Sequence, residues 1–278
     1  MADLVTGAFS FTGRAIAHQL LGEGREVVTM VRRPAPPGAD ARIRTVGFAF
    51  DDPAALAARF SGVDTFYNTY WIRFERGGLT FDEIIRRTRI LLTAAVHAGV
   101  RRLVHVSVVN AAADAPTRYF VAKARLDDIV RESGLSHAIV RPTLTFGPGD
   151  ILVNNLSWVL RRFPAFAIPG DGEYRLQPVH VEDVARIAIA ASREPGDVDV
   201  DAAGPDILTF NQFVRLLARA VDRRPWLVHT PHFASLAGAR LLGMLVRDVM
   251  LTRDEVTELT ASLLVSRHAP LGHIGLPA

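Results

Sequence analysis

Cysteine is absent from this 278-residue chain and lysine nearly so: Lys123 is the only one, and every other residue among the 32 basic ones is arginine. Without thiols there are no disulfides, no thiolate nucleophile and no thiolate metal site. A long apolar run is lacking too. The most apolar late stretch, Leu227 to Val246, is interrupted by His229, Pro231, His232 and Arg240, which is too broken to span a bilayer. Nor is there charge of one sign: 32 basic against 29 acidic residues leave a net charge of +3. The arginine pairs Arg32-Arg33, Arg86-Arg87, Arg101-Arg102 and Arg161-Arg162 are scattered rather than gathered into a stripe. Such a pattern offers nucleic acid no track, and neither nucleic acid nor membrane is expected as a partner. The nine histidines show no ligand spacing such as H-x-x-x-H with a carboxylate, so metal catalysis is not expected. No basic, apolar leader precedes the strand that begins near Asp3, which makes a cytoplasmic protein the expectation.

What the chain does have is length and alternation. At 278 residues it can bury a full core and is long for one compact unit, so a large domain with a smaller lobe is expected. Short apolar runs alternate with helix-length segments through the first two thirds, the pattern of crossover units on a parallel sheet. Strands are predicted at about 3 to 6, 26 to 31, 43 to 47, 63 to 67, 102 to 107 and 136 to 141, and helices near 13 to 22, 53 to 60, 79 to 98 and 117 to 133. Val27 to Val31 and Leu103 to Ser107 are nearly continuous apolar strands, as expected when helices cover both faces. His105, inside the second run, is read as a packing histidine. The predicted fold is a doubly wound α/β parallel sheet, a Rossmann fold, with a smaller, mostly helical C-terminal substrate lobe. Residues 1–150 form its dinucleotide-binding domain, with returns to the sheet near 177–203. The Gly/Pro-rich stretch Phe146 to Asp150 leads into the lobe, made of 151–176 and 204–278, with helices near 209 to 221, 231 to 245 and 253 to 264.

Directly after the first strand, Thr6-Gly7-Ala8-Phe9-Ser10-Phe11-Thr12-Gly13 has the spacing G-x-x-S-x-x-G and leads into an apolar helix. A glycine turn in that place lets backbone N–H groups and the positive helix end approach a pyrophosphate. Gly7, Phe9, Ser10, Phe11, Thr12 and Gly13 are therefore candidate coenzyme contacts, and the middle serine can either donate to phosphate or crowd it. The second strand ends in Arg32-Arg33, where an NAD-binding protein usually places an acid on the ribose 2′-hydroxyl. Two guanidiniums suit a 2′-phosphate and predict NADP(H) over NAD(H). After the third strand, Ala49 stands where a carboxylate would meet the adenine amine, and Asp51 or Asp52 is expected to cap the helix beginning at Pro53. Tyr119 and Lys123 lie four apart and so share a helix face. An ammonium there can sit by a phenol, lower its pKa and keep donors for a sugar hydroxyl. Tyr70, Trp71 and Phe74 follow the fourth strand at the edge where open α/β sheets bind ligands, and are candidate walls of a substrate pocket; Trp158 is a candidate lid residue on the lobe. The helices near 79 to 98 and 117 to 133 could form a homodimer interface, but Arg86, Arg87, Arg89, Arg125, Asp127 and Asp128 are read as charges on their outer faces, and a monomer is equally compatible with the sequence.

In this order the motifs resemble the short-chain dehydrogenase/reductase superfamily, in its extended and atypical branches, over nearly the whole chain. The resemblance implies that Gly7 to Gly13 is the coenzyme turn, Asn68 a coenzyme-side loop residue, Ser107, Tyr119 and Lys123 the catalytic set, and Arg141, Pro142 and Thr143, followed by Phe146 to Asp150, the segment beside the nicotinamide. Gln177 to Ala185 resembles the return to the sheet, with Asp183 a fold marker. The mechanism implied has Tyr119 protonate a carbonyl oxygen as hydride arrives from NADP(H), while Lys123 lowers the phenol pKa and holds the nicotinamide ribose and Ser107 bonds the reacting oxygen. The activity expected is that of a carbonyl reductase or alcohol dehydrogenase on a small, fairly apolar molecule. Beside it stand a sugar-nucleotide epimerase or dehydratase with retained NAD(P), and a non-catalytic NADP(H)-binding scaffold or redox sensor. The interval from Ser107 to Tyr119 is shorter than in most active extended members and resembles atypical ones, some of which bind NADP(H) without known turnover.

Overall fold

Seven strands pair in parallel to make the main sheet of this structure, a computed structural model that describes residues 2–231 and 252–268. They are β1 (Ala2–Val5), β2 (Glu26–Val31), β3 (Ile43–Gly47), β4 (Val63–Asn68), β5 (Arg102–Val106), β6 (His137–Pro142) and β11 (Val198–Ala202), in the spatial order β11-β6-β5-β4-β1-β2-β3. The chain builds outward from β1 on one side and from β4 on the other, so the crossovers diverge between them. A crevice is left at their carboxyl ends. Flanking helices are α1 (Phe11–Gly22), α2 (Pro53–Arg59), α3 (Phe81–His97), α4 (Arg118–Arg131) and α6 (Val181–Ala191). Helix α3 shows why the layers form: Phe81, Ile84, Thr88, Leu91, Leu92 and Ala95 recur at three- and four-residue spacing and are all buried. Leu4, Phe66, Leu103 and Ile139, one from each of four adjacent strands, are fully buried in the same core. Asp52 caps α2 by accepting from the Ala55 N–H at 2.9 Å, with Pro53 at the first helical position, as the sequence predicts.

The second compact unit comprises residues 143–180 and 203–267. Its described elements are β7 (Leu144–Phe146), α5 (Leu152–Arg162), β8 (Ala165–Pro169), β9 (Arg175–Leu176), β10 (Pro178–His180), β12 (Leu208–Thr209), α7 (Phe210–Ala220), β13 (Trp226–Thr230) and α8 (Arg253–Thr260). Helices carry most of its regular structure, and three two-stranded pairs, β10 with β7, β12 with β9 and β13 with β8, accompany them. The first unit gives way to the second at Pro142, ahead of the Asp150 boundary read from the sequence, because β7 pairs with β10 inside the second unit. For the same reason 177–180 belong to the second unit, and the return to the sheet is made by α6 and β11. The helix expected near 231 to 245 lies, beyond Pro231, outside the described residues. Among the described residues no helix is long and apolar enough to cross a membrane.

Candidate functional site

The chain leaves β1 at Thr6 and turns at Gly7, whose φ of +71° is a conformation that side-chain-bearing residues rarely adopt. A Cβ on Gly13 would collide with the Gly7 carbonyl oxygen, so only glycine lets α1 start this close to the turn. Ser10 is folded back into it: both its hydroxyl, at 2.6 Å, and its N–H, at 2.7 Å, donate to the Gly7 carbonyl. The serine hydroxyl is thus engaged with the turn itself. Beside the turn opens a cavity of about 640 Å³ lined by Gly7, Phe9, Ser10, Thr29, Arg32 and Arg33 among others. Arg32 and Arg33 are exposed, and among the described residues neither pairs with a carboxylate. Phe11 and Thr12 open α1 and are half-buried beside this cavity rather than in its lining.

Asn68 requires a correction. The resemblance places it on the coenzyme side, but it is fully buried between β1 and β5. Its Oδ1 accepts from Thr6 Oγ1 at 3.3 Å and from the Tyr70 N–H at 3.2 Å, which turns Nδ2 toward His105 Nδ1 at 3.1 Å. The amide stitches β4 to its neighbours and, at 0 % exposed, is out of a ligand's reach in this structure. Thr6 Oγ1 accepts in turn from the Thr69 N–H at 2.9 Å, which completes the clasp.

Past that clasp, β5 delivers Ser107 and α4 delivers Tyr119, Lys123 and, one turn on, Asp127. Lys123 is 3 % exposed. Its Nζ donates to the Val106 carbonyl at 2.9 Å and lies 4.4 Å from the centre of the Trp71 ring, a cation–π contact. Trp71 is stacked on Phe81 at 5.2 Å and 4°, and meets Tyr119 edge-on at 5.6 Å and 82°. Burial pushes the Lys123 amine down to about 7, against the opposing pull of the Asp127 carboxylate. Asp127, read from the sequence as an outer-face charge, is in fact 2 % exposed. The offset shows why: 119, 123 and 127 are successive i+4 positions, so an inward Lys123 brings Asp127 inward with it. The Asp127 carboxyl accepts from Arg141 Nε at 3.1 Å, and Arg141 reaches on to Asp199 at 2.8 Å. Burial raises the Asp127 pKa, opposed first by the Ser107 hydroxyl and then by Arg141 and Lys123. His105 is buried and held well below its ordinary pKa by burial, with Lys123 and Arg141 adding to the shift. Because its Nδ1 accepts from Asn68, its proton sits on Nε2, 3.8 Å from Asp127 Oδ1. The Ser107 hydroxyl, buried, faces the Asp127 carboxyl without a hydrogen bond of good geometry. Asp127 is the acid of this centre that the sequence reading had left on the outer face of the helix, and Arg141, which the resemblance sets beside the nicotinamide, is here the group that holds it.

The aromatic candidates separate. Trp71 belongs to the Tyr119–Lys123 centre, whereas Tyr70 packs with Phe48 at 5.4 Å and Phe50 at 6.1 Å and its hydroxyl accepts from Arg87 at 3.3 Å. That cluster flanks Ala49, at the end of β3. Tyr70 is therefore tied to the β3 side and does not stand with Trp71. Phe74 is half-buried under Arg73, at 5.8 Å. Trp158, in the second unit, packs edge-on with Phe163 at 6.2 Å beneath Arg162 at 4.9 Å. Pro142 ends β6 and accepts from the Val109 N–H at 3.1 Å, and Thr143 is buried at the start of the second unit.

A glycine cradle at a helix N-terminus, a cavity bearing two solvent-facing guanidiniums, and a buried lysine with a buried serine further along the same sheet edge fit a nicotinamide dinucleotide. They define a dinucleotide-binding protein of the Rossmann class. A family described as NAD(P)H-binding matches residues 7–157, and the chain belongs to it, within the extended short-chain dehydrogenase/reductase superfamily. The chain is 25 % identical to the mitochondrial NADH dehydrogenase [ubiquinone] 1 alpha subcomplex subunit 9 of Arabidopsis thaliana over 95 % of its own length and 71 % of that protein. It is 27 % identical to the ceramide reductase of Caulobacter vibrioides, over 86 % of this chain and 76 % of that one. Among solved structures, MoeE5 in complex with UDP-glucuronic acid and NAD aligns with a TM-score of 0.69 at 26 % identity, covering 83 % of this chain and 86 % of its own.

Proposed function

We propose that this protein is an NADP(H)-dependent oxidoreductase of the carbonyl reductase or alcohol dehydrogenase type, acting on a small, fairly apolar substrate. The observation that carries the reading is the placement, in one unit and on one sheet edge, of free Arg32 and Arg33 beside the glycine cradle and of Tyr119, Lys123 and Ser107 past the β4 clasp. Arg32 and Arg33 hold a 2′-phosphate by charge-assisted bonds. The bound coenzyme supplies the hydride. Tyr119 gives its phenolic proton to the carbonyl oxygen, Ser107 donates a hydrogen bond to that same oxygen, and the Lys123 ammonium stabilises the phenolate left behind. Similarity to a ceramide reductase supports reduction chemistry on an apolar substrate without specifying which one.

The test is NADPH consumption against carbonyls of graded chain length, for the parent and Tyr119→Phe. A parent activity that Tyr119→Phe retains undiminished removes the assigned acid. Protein that purifies with coenzyme bound and leaves added NADPH untouched points instead to an epimerase or dehydratase. A second reading has its own support in the Trp71 contact: with the indole over Lys123, the protein serves as an NADP(H)-binding scaffold or sensor. Different affinities for NADPH and NADP⁺, with no turnover on any carbonyl, are its mark.

A further inference from the structure

The end of α7 and the strand β13 carry a feature that the coenzyme site does not use. Arg215 and Arg219, one turn apart on α7, and Arg223 and Arg224, in the turn beyond it, line a cleft of about 650 Å³ together with Trp226. All four arginines are exposed, and among the described residues none pairs with a carboxylate. Elsewhere this chain pairs its arginines routinely: Arg86 meets Glu83 at 2.8 Å, Arg101 meets Asp64 at 2.9 Å and Arg131 meets Asp199 at 2.8 Å. Asp222 sits within the sequence of the cluster, in a left-handed backbone at φ 54°, and among the described residues makes no ion pair. The apolar side chains here are equally unusual. Trp226 is 77 % exposed, Val228 46 % and Leu216 49 %, which makes them three of the seven large apolar residues exposed in the described structure. Trp226 and Val228 alternate with Leu227, which packs into the second unit's core, so both project from the outer face of β13. Leu216 lies three residues before Arg219 on α7 and so shares its face.

We propose that this face docks on an anionic membrane surface. The guanidiniums pair with lipid phosphates, and Trp226, Val228 and Leu216 enter the headgroup boundary, where an indole is at home and aliphatic side chains gain burial. A nucleic acid would use the arginines and the indole, but it would find nothing to stack on Leu216 or Val228. Docking of this kind needs no membrane-spanning helix. It also stands independently of the coenzyme reading, since no residue is shared between them.

The experiment is co-sedimentation of the full chain with vesicles of phosphatidylcholine and phosphatidylglycerol at a ratio of about 7:3, and with phosphatidylcholine alone. The parent is expected to sediment with the anionic vesicles and to be released by salt. The triple variant Arg215→Glu/Arg219→Glu/Arg223→Glu is expected to bind about a hundredfold less, and Trp226→Ala about tenfold less. Because a charge-reversed variant could misfold, a second measurement uses the parent and Trp226→Phe: acyl chains brominated near the headgroup should quench emission in the first far more than in the second. Equal binding to neutral and anionic vesicles, no binding to either, unchanged binding by both variants, or binding to a single-stranded oligonucleotide but not to vesicles each overturns the proposal.

Discussion

At the turn after β1, the guanidiniums of Arg32 and Arg33 stand in solvent beside an open cavity. At the end of β5, the ammonium of Lys123 is 3 % exposed beneath the Trp71 ring. Both places lie on the carboxyl edge of one sheet and both present cations, yet one is ready for an anion and the other is already occupied by the protein's own indole. The glycine turn thus stands open to a ligand, whereas one side of the Lys123 ammonium is covered by Trp71. The indole N–H is itself buried without a hydrogen-bond partner, so the covered arrangement carries a polar cost, about 1–3 kcal/mol for such a group, that leaving it would relieve. Recognition and chemistry are thus separable in this molecule, and variants can be chosen to act on one end alone.

The sharpest separation comes from Tyr119→Phe. If the covered end carries proton transfer, carbonyl reduction should fall by about 10²- to 10⁴-fold, while a calorimetric titration with NADPH should give the parent's affinity. A loss of both together would mean that the two ends are not independent. The converse variant, Arg32→Ala/Arg33→Ala, should weaken NADPH binding by about 10- to 100-fold and leave NADH unaffected, since each charge-assisted bond to the 2′-phosphate is worth about 1.5–3 kcal/mol when fully made. NADPH binding that survives the double variant intact would assign the phosphate to other groups. A smaller effect of opposite sign is expected for Trp71→Ala. Removing the indole abolishes a cation–π contact of about 0.5–2 kcal/mol, so NADPH should bind about 2- to 30-fold more tightly. The adenosine half alone, 2′,5′-ADP, should bind as it does to the parent. Equal tightening of both ligands would show that Trp71 governs the whole cleft rather than one end of it.

How much of this was legible beforehand divides along the same line. The sheet, the glycine turn, the basic end of β2 and the Tyr119–Lys123 offset are local in sequence, and periodicity or spacing reports them directly. The Asp52 cap was readable for the same reason. What escaped was decided by distant partners. Asp127 reads as a surface acid until Arg141, on another strand, is seen to hold it. Asn68 reads as a loop residue until Thr6 and His105 are seen to hold its buried amide. Trp71 and Tyr70 are neighbours in sequence yet belong to different clusters, one with Tyr119 and the other with Phe48 and Phe50. The i+4 relation of Asp127 to Lys123 was the one local signal available for the buried network.

The test most discriminating about the covered end is the pH dependence of stability. In the unfolded chain the Lys123 amine keeps its proton to about 10.4, whereas burial in the fold pushes that value down to about 7. Between those limits the unfolded state binds the extra proton, so stability should rise as pH increases through that window, and the cost of burying the cation should be complete and constant below it. Replacing Lys123 with Met removes the titrating group. Denaturant unfolding of parent and variant at several pH values between those limits should then show a rise in the parent that the variant lacks. Parallel curves would mean that the ammonium persists throughout the window, held by the Trp71 ring and the Asp127 carboxylate against the burial penalty. Trp71→Ala distinguishes the two holders. With the ring gone and Asp127 in place, a pH-dependent rise that appears only in this variant identifies the indole as the group that keeps Lys123 charged.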